Sequence, residues 1–149
     1  MIDRTVTVSR VINAPIERVW RAWTNPNAIK HWFIAKPGLP TEVIQFDVKV
    51  GGKVRLKFPG AAGEYTWTYV KIDEPNLLMI DILDYSLPEF LPDGVGGISN
   101  IGFKDLNGKT EITVGGELPD GMNNEKSRKM AENGWSFTLD NLNNYVKEK

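Results

Sequence analysis

The chain carries few residues whose types and spacing could form a catalytic set. It has one histidine, His31, and no cysteine, which excludes a thiolate nucleophile and cysteine metal ligands. A Ser-His-Asp triad or a metal site would need His31, yet no H-x-x-x-H or similar spacing surrounds it. We interpret His31 as a surface or helix-end residue. We therefore predict no catalytic residue, no metal ligand and no cofactor.

Carboxylates next to apolar strand-like runs are the remaining candidates for acid or base chemistry. Asp81 and Asp84 interrupt the run LLMIDILDY, and Glu64 precedes the aromatic run YTWTYVKI. A carboxyl group in an apolar pocket has a raised pKa and can act as a general acid or base. The alternative is a solvated position on a strand. For Asp81 the alternation allows either the face of Met79, turned inward, or the solvent side opposite Ile80.

Aromatic side chains recur at positions where we expect buried faces, and they could form the wall of a ligand cavity. Their rings supply rigid apolar area, and their N–H and O–H groups can orient a polar ligand head. The alternative is that they only fill the core. If Thr66 and Thr68 face inward instead, the neighbouring aromatic residues form an exposed row, which would suggest a partner surface. The candidate ligand-binding residues are Trp32, Phe33, Phe58, Trp67, Tyr69, Tyr85, Phe103, Trp135 and Leu139.

Two short helices are expected to position the first of these aromatics. They follow a strand predicted over residues 5–12, and lie in the segment NAPIERVWRAWTNPNAIKHWF. Pro15 and Pro26 each suit the first position of a helix, where the missing N–H costs nothing. The first helix carries an apolar stripe at i, i+3, i+4 and i+7, which predicts one buried face. Its members are Ile16, Val19, Trp20 and Trp23, which we interpret as structural.

The middle of the chain alternates with period 2 between turn signals, which predicts antiparallel strands. Ile44, Phe46 and Val48 alternate before the glycine pair at 51–52, which indicates a hairpin. The dipeptide NG at 107–108 is the strongest hairpin signal in the chain.

An amphipathic helix is predicted from about Asn123 to Lys147, with Gly134 in its interior. An interior glycine costs about 1 kcal/mol relative to alanine, so we expect a close approach there. The elements together predict an α+β helix-grip fold. In it, a curved antiparallel sheet of about six or seven strands wraps around the long C-terminal helix, and two short helices follow the first strand. We expect a single domain over residues 1–149.

Composition excludes several classes of partner. The 18 basic and 19 acidic residues leave a net charge of -1, so no field draws in a nucleic acid or an anionic membrane. No stretch approaches the roughly 20 apolar residues of a membrane span. We predict a cytoplasmic monomer without nucleic-acid or membrane partners.

Three motifs occur in one order along the chain. NAPIERVWRAWTNPNAIKHWF is followed by DVKVGG at 47–52 and by NGWSFTLDNL, which starts at Asn133. Together they resemble the proteins similar to the C-terminal domain of the heat-shock protein 90 ATPase activator. That family lies within the START-like, helix-grip group, which includes the birch-pollen allergen. Lys49 and Val50 replace the arginine and proline usual in the middle motif, so a role of that arginine is not carried over.

The resemblance implies an internal cavity between the sheet and the long helix. Our first hypothesis is that this cavity binds a small apolar or amphipathic molecule. An alternative is a protein-contact module that modulates a chaperone ATPase, with a chaperone as partner. A second alternative is a cyclase- or hydrolase-like enzyme that uses cavity carboxylates, although we favour binding over catalysis. Such a fold does not by itself decide among these functions.

Overall fold

A computed structural model describes residues 5–33, 41–57, 64–85, 97–117 and 125–147. The described residues form seven strands and three helices. In chain order the elements are β1 (Thr5–Ile12), α1 (Ile16–Thr24), α2 (Pro26–Ile29), β2 (Glu42–Phe46), β3 (Lys53–Lys57), β4 (Glu64–Asp73), β5 (Leu77–Tyr85), β6 (Gly97–Asp105), β7 (Thr110–Glu117) and α3 (Glu125–Lys147).

The strands form one antiparallel sheet in the order β1-β7-β6-β5-β4-β3-β2. Every neighbour except the β1–β7 pair is consecutive in the chain, so short turns can make most of the connections. The fold is the predicted α+β helix-grip architecture, with an open curved sheet, two short helices early in the chain and a long C-terminal helix.

The two short helices follow the predicted start signals closely. Pro15 has an extended backbone and is the N-cap of α1, so the helix begins one residue later than predicted, at Ile16. Asn25 caps α2, because its side-chain oxygen accepts a hydrogen bond of 2.8 Å from the backbone N–H of Asn27. The predicted apolar stripe of α1 is buried, and Ala22 lies with it.

In β2 the predicted alternation is wrong at one position. Ile44 is 40% exposed, whereas Phe46 and Val48 pack partly against the core. The pairing with β3 shifts between Val43 and Gln45, which leaves Ile44 without a partner in the register. An extra residue in one strand reverses which side chains face inward. The bulge therefore moves Ile44 to the outer face.

The hairpin between β6 and β7 has the predicted Asn-Gly turn. Asn107 and Gly108 have positive φ angles of 58° and 98°, which a two-residue hairpin turn requires. The Asp105 carboxylate accepts a hydrogen bond of 2.9 Å from the backbone N–H of Asn107. The turn between β4 and β5 contains a cis peptide bond between Glu74 and Pro75.

The long helix α3 is fastened to the first strand near its C-terminal end. The Asn143 side-chain oxygen accepts a hydrogen bond of 2.9 Å from the backbone N–H of Asn13, and Arg10 pairs with Asp140 at 3.2 Å. The predicted start at Asn123 lies outside the described residues. The buried positions of the described helix are Gly134, Thr138, Leu139, Leu142 and Val146.

Candidate functional site

The inner face of β4 carries three large aromatic residues. Tyr65, Trp67 and Tyr69 are 2%, 1% and 1% exposed, respectively, whereas Val70 is 43% exposed. The sequence did not decide whether the aromatic residues of this strand face inward or outward, and the structure shows that they face inward. The alternative of an exposed aromatic row that binds a partner is wrong for this strand.

Phe33, just beyond α2, joins these residues to the helices. Its ring centre lies 5.3 Å from that of Tyr65 and 5.2 Å from that of Trp67. It also lies 6.1 Å from the ring of Trp23 and 6.3 Å from that of Trp135. We use the name aromatic cluster for Phe33, Trp23 and the aromatic residues whose rings contact either of these two. Its members are Trp23, Trp32, Phe33, Tyr65, Trp67, Phe103 and Trp135.

Trp23, on α1, is the second centre of the cluster. Its ring meets that of Trp32 edge-to-face at 4.8 Å and that of Phe103 at 6.3 Å. Trp135, from α3, stacks on it at 6.5 Å with an interplanar angle of 30°. Trp135 is half-buried, whereas the other members of the aromatic cluster are buried. Side chains from the sheet, α1, the segment that follows α2, and α3 thus meet at one place.

Among the described residues, three polar atoms in this region are buried and have no hydrogen-bond partner. They are the indole Nε1 atoms of Trp23 and Trp67 and the hydroxyl of Tyr69. Trp32 differs, because its Nε1 donates a hydrogen bond of 3.0 Å to the backbone oxygen of Ala22. Trp32 therefore links the segment after α2 to α1, whereas the three unpartnered groups can still form hydrogen bonds.

The environment of Tyr69 strongly favours its neutral form. Burial raises the pKa of Tyr69 from its usual value of 10.0 to about 12. The neighbouring indole of Trp67 offsets part of this rise, although the two groups complete no hydrogen bond of standard geometry. The Tyr69 hydroxyl is thus a neutral group that can both donate and accept at neutral pH.

The turn that precedes β3 holds the backbone of Tyr69. The N–H of Gly51 donates to the oxygen of Tyr69 at 2.9 Å, and the N–H of Tyr69 donates to the oxygen of Gly52 at 3.0 Å. A Cβ atom at residue 52 would overlap the backbone oxygens of Asp47 and Lys49, so only glycine fits there. The motif DVKVGG thus positions a residue of the site, a role that the sequence did not reveal.

The other predicted ligand-binding residues fall into different places. Phe103 is 5% exposed and contacts Trp20 at 5.1 Å, and Leu139 is fully buried on α3. Phe58 lies outside the described residues. Tyr85 ends β5, and its side chain lies outside the described part of the chain.

Trp23 is the site residue that sequence reasoning assigned to structure alone. The helical stripe correctly predicted that it is buried, but a stripe carries no information on whether the indole N–H finds an acceptor. The sequence does contain one signal for Trp23: a tryptophan predicted to be buried carries an indole N–H that requires a hydrogen-bond acceptor.

The two candidate carboxylates whose side chains are described, Glu64 and Asp81, do not face the aromatic cluster. Glu64 accepts two hydrogen bonds from Arg55, at 2.7 Å and 2.9 Å. This hydrogen-bonded guanidinium lowers the pKa of Glu64, which is the reverse of what a buried general acid needs. Asp81 is half-buried between the inward residues Ile80 and Ile82, so it points to the outer face. The side chain of Asp84 lies outside the described residues.

His31 lies on the surface, as predicted. Its ring stacks on that of Tyr145 at 6.0 Å, with an interplanar angle of 13°. Among the described residues, no group of three or more histidine, aspartate or glutamate side chains is arranged to hold a metal ion. No helix in the described ranges combines the length and apolar character that crossing a bilayer requires.

The sheet, the long helix and the aromatic interior between them define a helix-grip protein of the START-like class. The chain belongs to the family described as activator of Hsp90 ATPase homolog 1-like protein, whose model matches residues 13–147. This match confirms the resemblance carried by the three sequence motifs.

Solved structures share this architecture over nearly the whole chain. A protein from Chromobacterium violaceum, solved by crystallography, is 25% identical in sequence to this chain. The two structures align with a TM-score of 0.72, and the match covers 97% of each chain. A solution structure of a protein from Arthrobacter aurescens is 19% identical with a TM-score of 0.77, covering 98% of this chain and 87% of that one. A protein in the dynemicin biosynthetic locus is 19% identical with a TM-score of 0.76, covering 97% of this chain and 48% of its own. The likenesses at 19% identity show the fold alone. No protein of curated function has significant sequence similarity to this chain.

Proposed function

We propose that the chain binds a small apolar or amphipathic molecule against the aromatic cluster, between the sheet and α3. The observation that carries this proposal is the set of unpartnered polar atoms on Trp23, Trp67 and Tyr69. Buried polar groups in native proteins are nearly always hydrogen-bonded, so each exception requires an explanation. A bound molecule with polar atoms would supply the missing partners.

The magnitudes support a functional origin for these groups. Leaving a buried donor or acceptor unsatisfied costs about 1–3 kcal/mol, and three such groups lie in one region of this interior. A phenylalanine at residue 69 would avoid the cost at nearly the same shape. Sites that hold a ligand combine apolar and aromatic walls with a small number of polar groups, which is the composition of this region.

The arrangement favours binding over catalysis. A cyclase or hydrolase would need an acid or base beside the ligand, yet Glu64 and Asp81 both lie on the outer face. His31 is exposed, and its ring stacks on that of Tyr145. No observation in the described residues favours the enzyme alternative.

The chaperone alternative gains no support from the described surface. Its exposed large apolar residues are distributed over four strands and two turns. They are Val11, Ile44, Val50, Val70, Ile98 and Leu106. A chaperone as partner, a monomeric state and a cytoplasmic location stay predictions.

Native mass spectrometry of the purified protein after exposure to a mixed lipid and metabolite extract tests the proposed function. We expect a retained small molecule that is released on unfolding. The Tyr69→Phe variant should retain less of it, whereas Tyr145→Phe, which removes a hydroxyl that is not among the unpartnered atoms, should retain as much as the native chain. If neither the extract nor individual apolar compounds leave a bound molecule, the proposed function is wrong.

A further inference from the structure

The unpartnered atoms restrict which ligand could satisfy them. An indole N–H only donates hydrogen bonds, so Trp23 and Trp67 each require an acceptor. The hydroxyl of Tyr69 can donate as well as accept. Trp67 and Tyr69 are two residues apart on one strand face, which places their side chains side by side. A molecule that satisfies this pair must present oxygen or nitrogen acceptors to β4.

In the described part of the chain, no charged side chain is buried in this interior. The buried polar residues among those described are all hydroxyl-bearing: Thr41, Thr66, Ser99, Thr110 and Thr138. The ion pair between Arg55 on β3 and Glu64 on β4 lies on the opposite face of the sheet, and its two groups are already hydrogen-bonded to each other. Burying a carboxylate without a counter-charge costs more free energy than hydrogen bonds from neutral donors contribute.

The pKa of Tyr69 indicates how strongly this interior disfavours a negative charge. The phenolate form of Tyr69 would place a negative oxygen beside the indole of Trp67. Burial nonetheless raises the pKa of Tyr69 to about 12, and Trp67 offsets only part of that rise. Desolvation therefore outweighs the nearby neutral donor at this position.

We propose that this site selects uncharged molecules that carry carbonyl or ether oxygens on an apolar body, and that it rejects carboxylates of the same shape. Trp67 and Tyr69 are the specificity-determining residues, and Trp23 provides a second donor on the helical side. The inference rests on the proposed function, since it names the class of ligand for the same site.

Three naphthalene derivatives substituted at the same carbon test this inference. Acetylnaphthalene carries a neutral carbonyl, naphthoate carries a charge, and ethylnaphthalene has nearly the shape of the ketone without its oxygen. Isothermal titration at neutral pH should show acetylnaphthalene binding at least about tenfold more tightly than naphthoate. It should bind about two- to tenfold more tightly than ethylnaphthalene, which is the effect of one net hydrogen bond.

Variants assign the selectivity to its residues. Trp67→Phe and Tyr69→Phe should each reduce the advantage of acetylnaphthalene over ethylnaphthalene, whereas Trp20→Phe, a matched change outside the set of unpartnered groups, should keep it. Circular dichroism checks that each variant folds, and Tyr69→Phe preserves the shape of the side chain. If naphthoate binds as tightly as the ketone, or ethylnaphthalene does, this inference is wrong and the proposed function stands. If none of the three compounds binds, this inference is wrong, and retention of a molecule from the extract decides whether the proposed function is wrong as well.

Discussion

At the scale of single residues, the proposed site is distinguished from ordinary core packing by the unpartnered polar atoms of its aromatic side chains, and not by the positions of their rings. The sequence identified Trp67 and Tyr69 as candidates, because alternation in a strand leaves only two possible faces. It did not identify Trp23, because amphipathic spacing predicts burial but not hydrogen-bond satisfaction. Both kinds of information are needed to separate a wall of a binding site from ordinary core packing.

Tyr69→Phe should stabilise the ligand-free protein by about 1–3 kcal/mol, because it removes a buried hydroxyl that has no partner. Equilibrium unfolding in urea measures the change. Tyr145→Phe serves as the control, since its hydroxyl is not among the unpartnered atoms, and it should not stabilise the protein. A clear loss of stability in Tyr69→Phe would show that the hydroxyl is satisfied in solution.

The raised pKa of Tyr69 also predicts a dependence of stability on pH. As the pH rises from 10.0 to about 12, the unfolded chain loses the Tyr69 proton while the folded chain retains it. The free energy of unfolding contributed by this group therefore falls by about 2–3 kcal/mol over that interval, and the contribution is complete below it. Unfolding of the native chain and of Tyr69→Phe across this range isolates the effect, because lysines and arginines titrate in both. Parallel curves for the two proteins would contradict the assignment.

At the scale of elements, α1 packs against the core through a buried face that includes two indole side chains. Trp20 is 5% exposed and its ring meets that of Phe103 at 5.1 Å. Trp20→Ala should lower the free energy of unfolding by about 3–5 kcal/mol, because it removes a large buried side chain and leaves a cavity. Thermal or urea denaturation measures this loss. A loss under about 1 kcal/mol would mean that α1 contributes little to the packed core.

The DVKVGG turn should affect the site through the backbone of Tyr69. Gly52→Ala places a Cβ atom against the backbone oxygens of Asp47 and Lys49, so the turn must shift. Because Gly52 accepts from the N–H of Tyr69, we expect both lower stability and weaker ligand binding. Gly102→Ala is the control, since its nearest contact would be an ordinary 3.9 Å. Ligand affinity unchanged in a folded Gly52→Ala variant would remove the positioning role of this turn.

At the scale of the whole molecule, local signals predicted most of the architecture. Proline-started helices, the Asn107-Gly108 turn and the long amphipathic helix are short-range features, and the structure contains each of them. The bulge that exposes Ile44 depends on how β2 pairs with β3, which a single strand does not reveal. The position of Phe33 against Tyr65 likewise depends on how α2 meets β4, so the composition of the site required the assembled fold.

Membership of the family accounts for the architecture, and the unpartnered polar atoms are the basis of the proposed ligand site. The aromatic cluster joins elements that are far apart in the chain, with α1, β4 and α3 each contributing an indole. A ligand that contacts all three would link the long helix to the sheet and stabilise the fold by mass action.

Two-dimensional NMR of the indole N–H groups during titration with acetylnaphthalene tests the central claim most directly. The chain has five tryptophans, so the signals can be assigned by single Trp→Phe variants. We predict that the indole N–H signals of Trp67 and Trp23 shift as the ligand saturates the protein. The signal of Trp32 should shift least, because its N–H is already hydrogen-bonded to the Ala22 oxygen. Saturable binding that leaves the Trp67 and Trp23 signals in place, or the absence of any binding, would contradict the account.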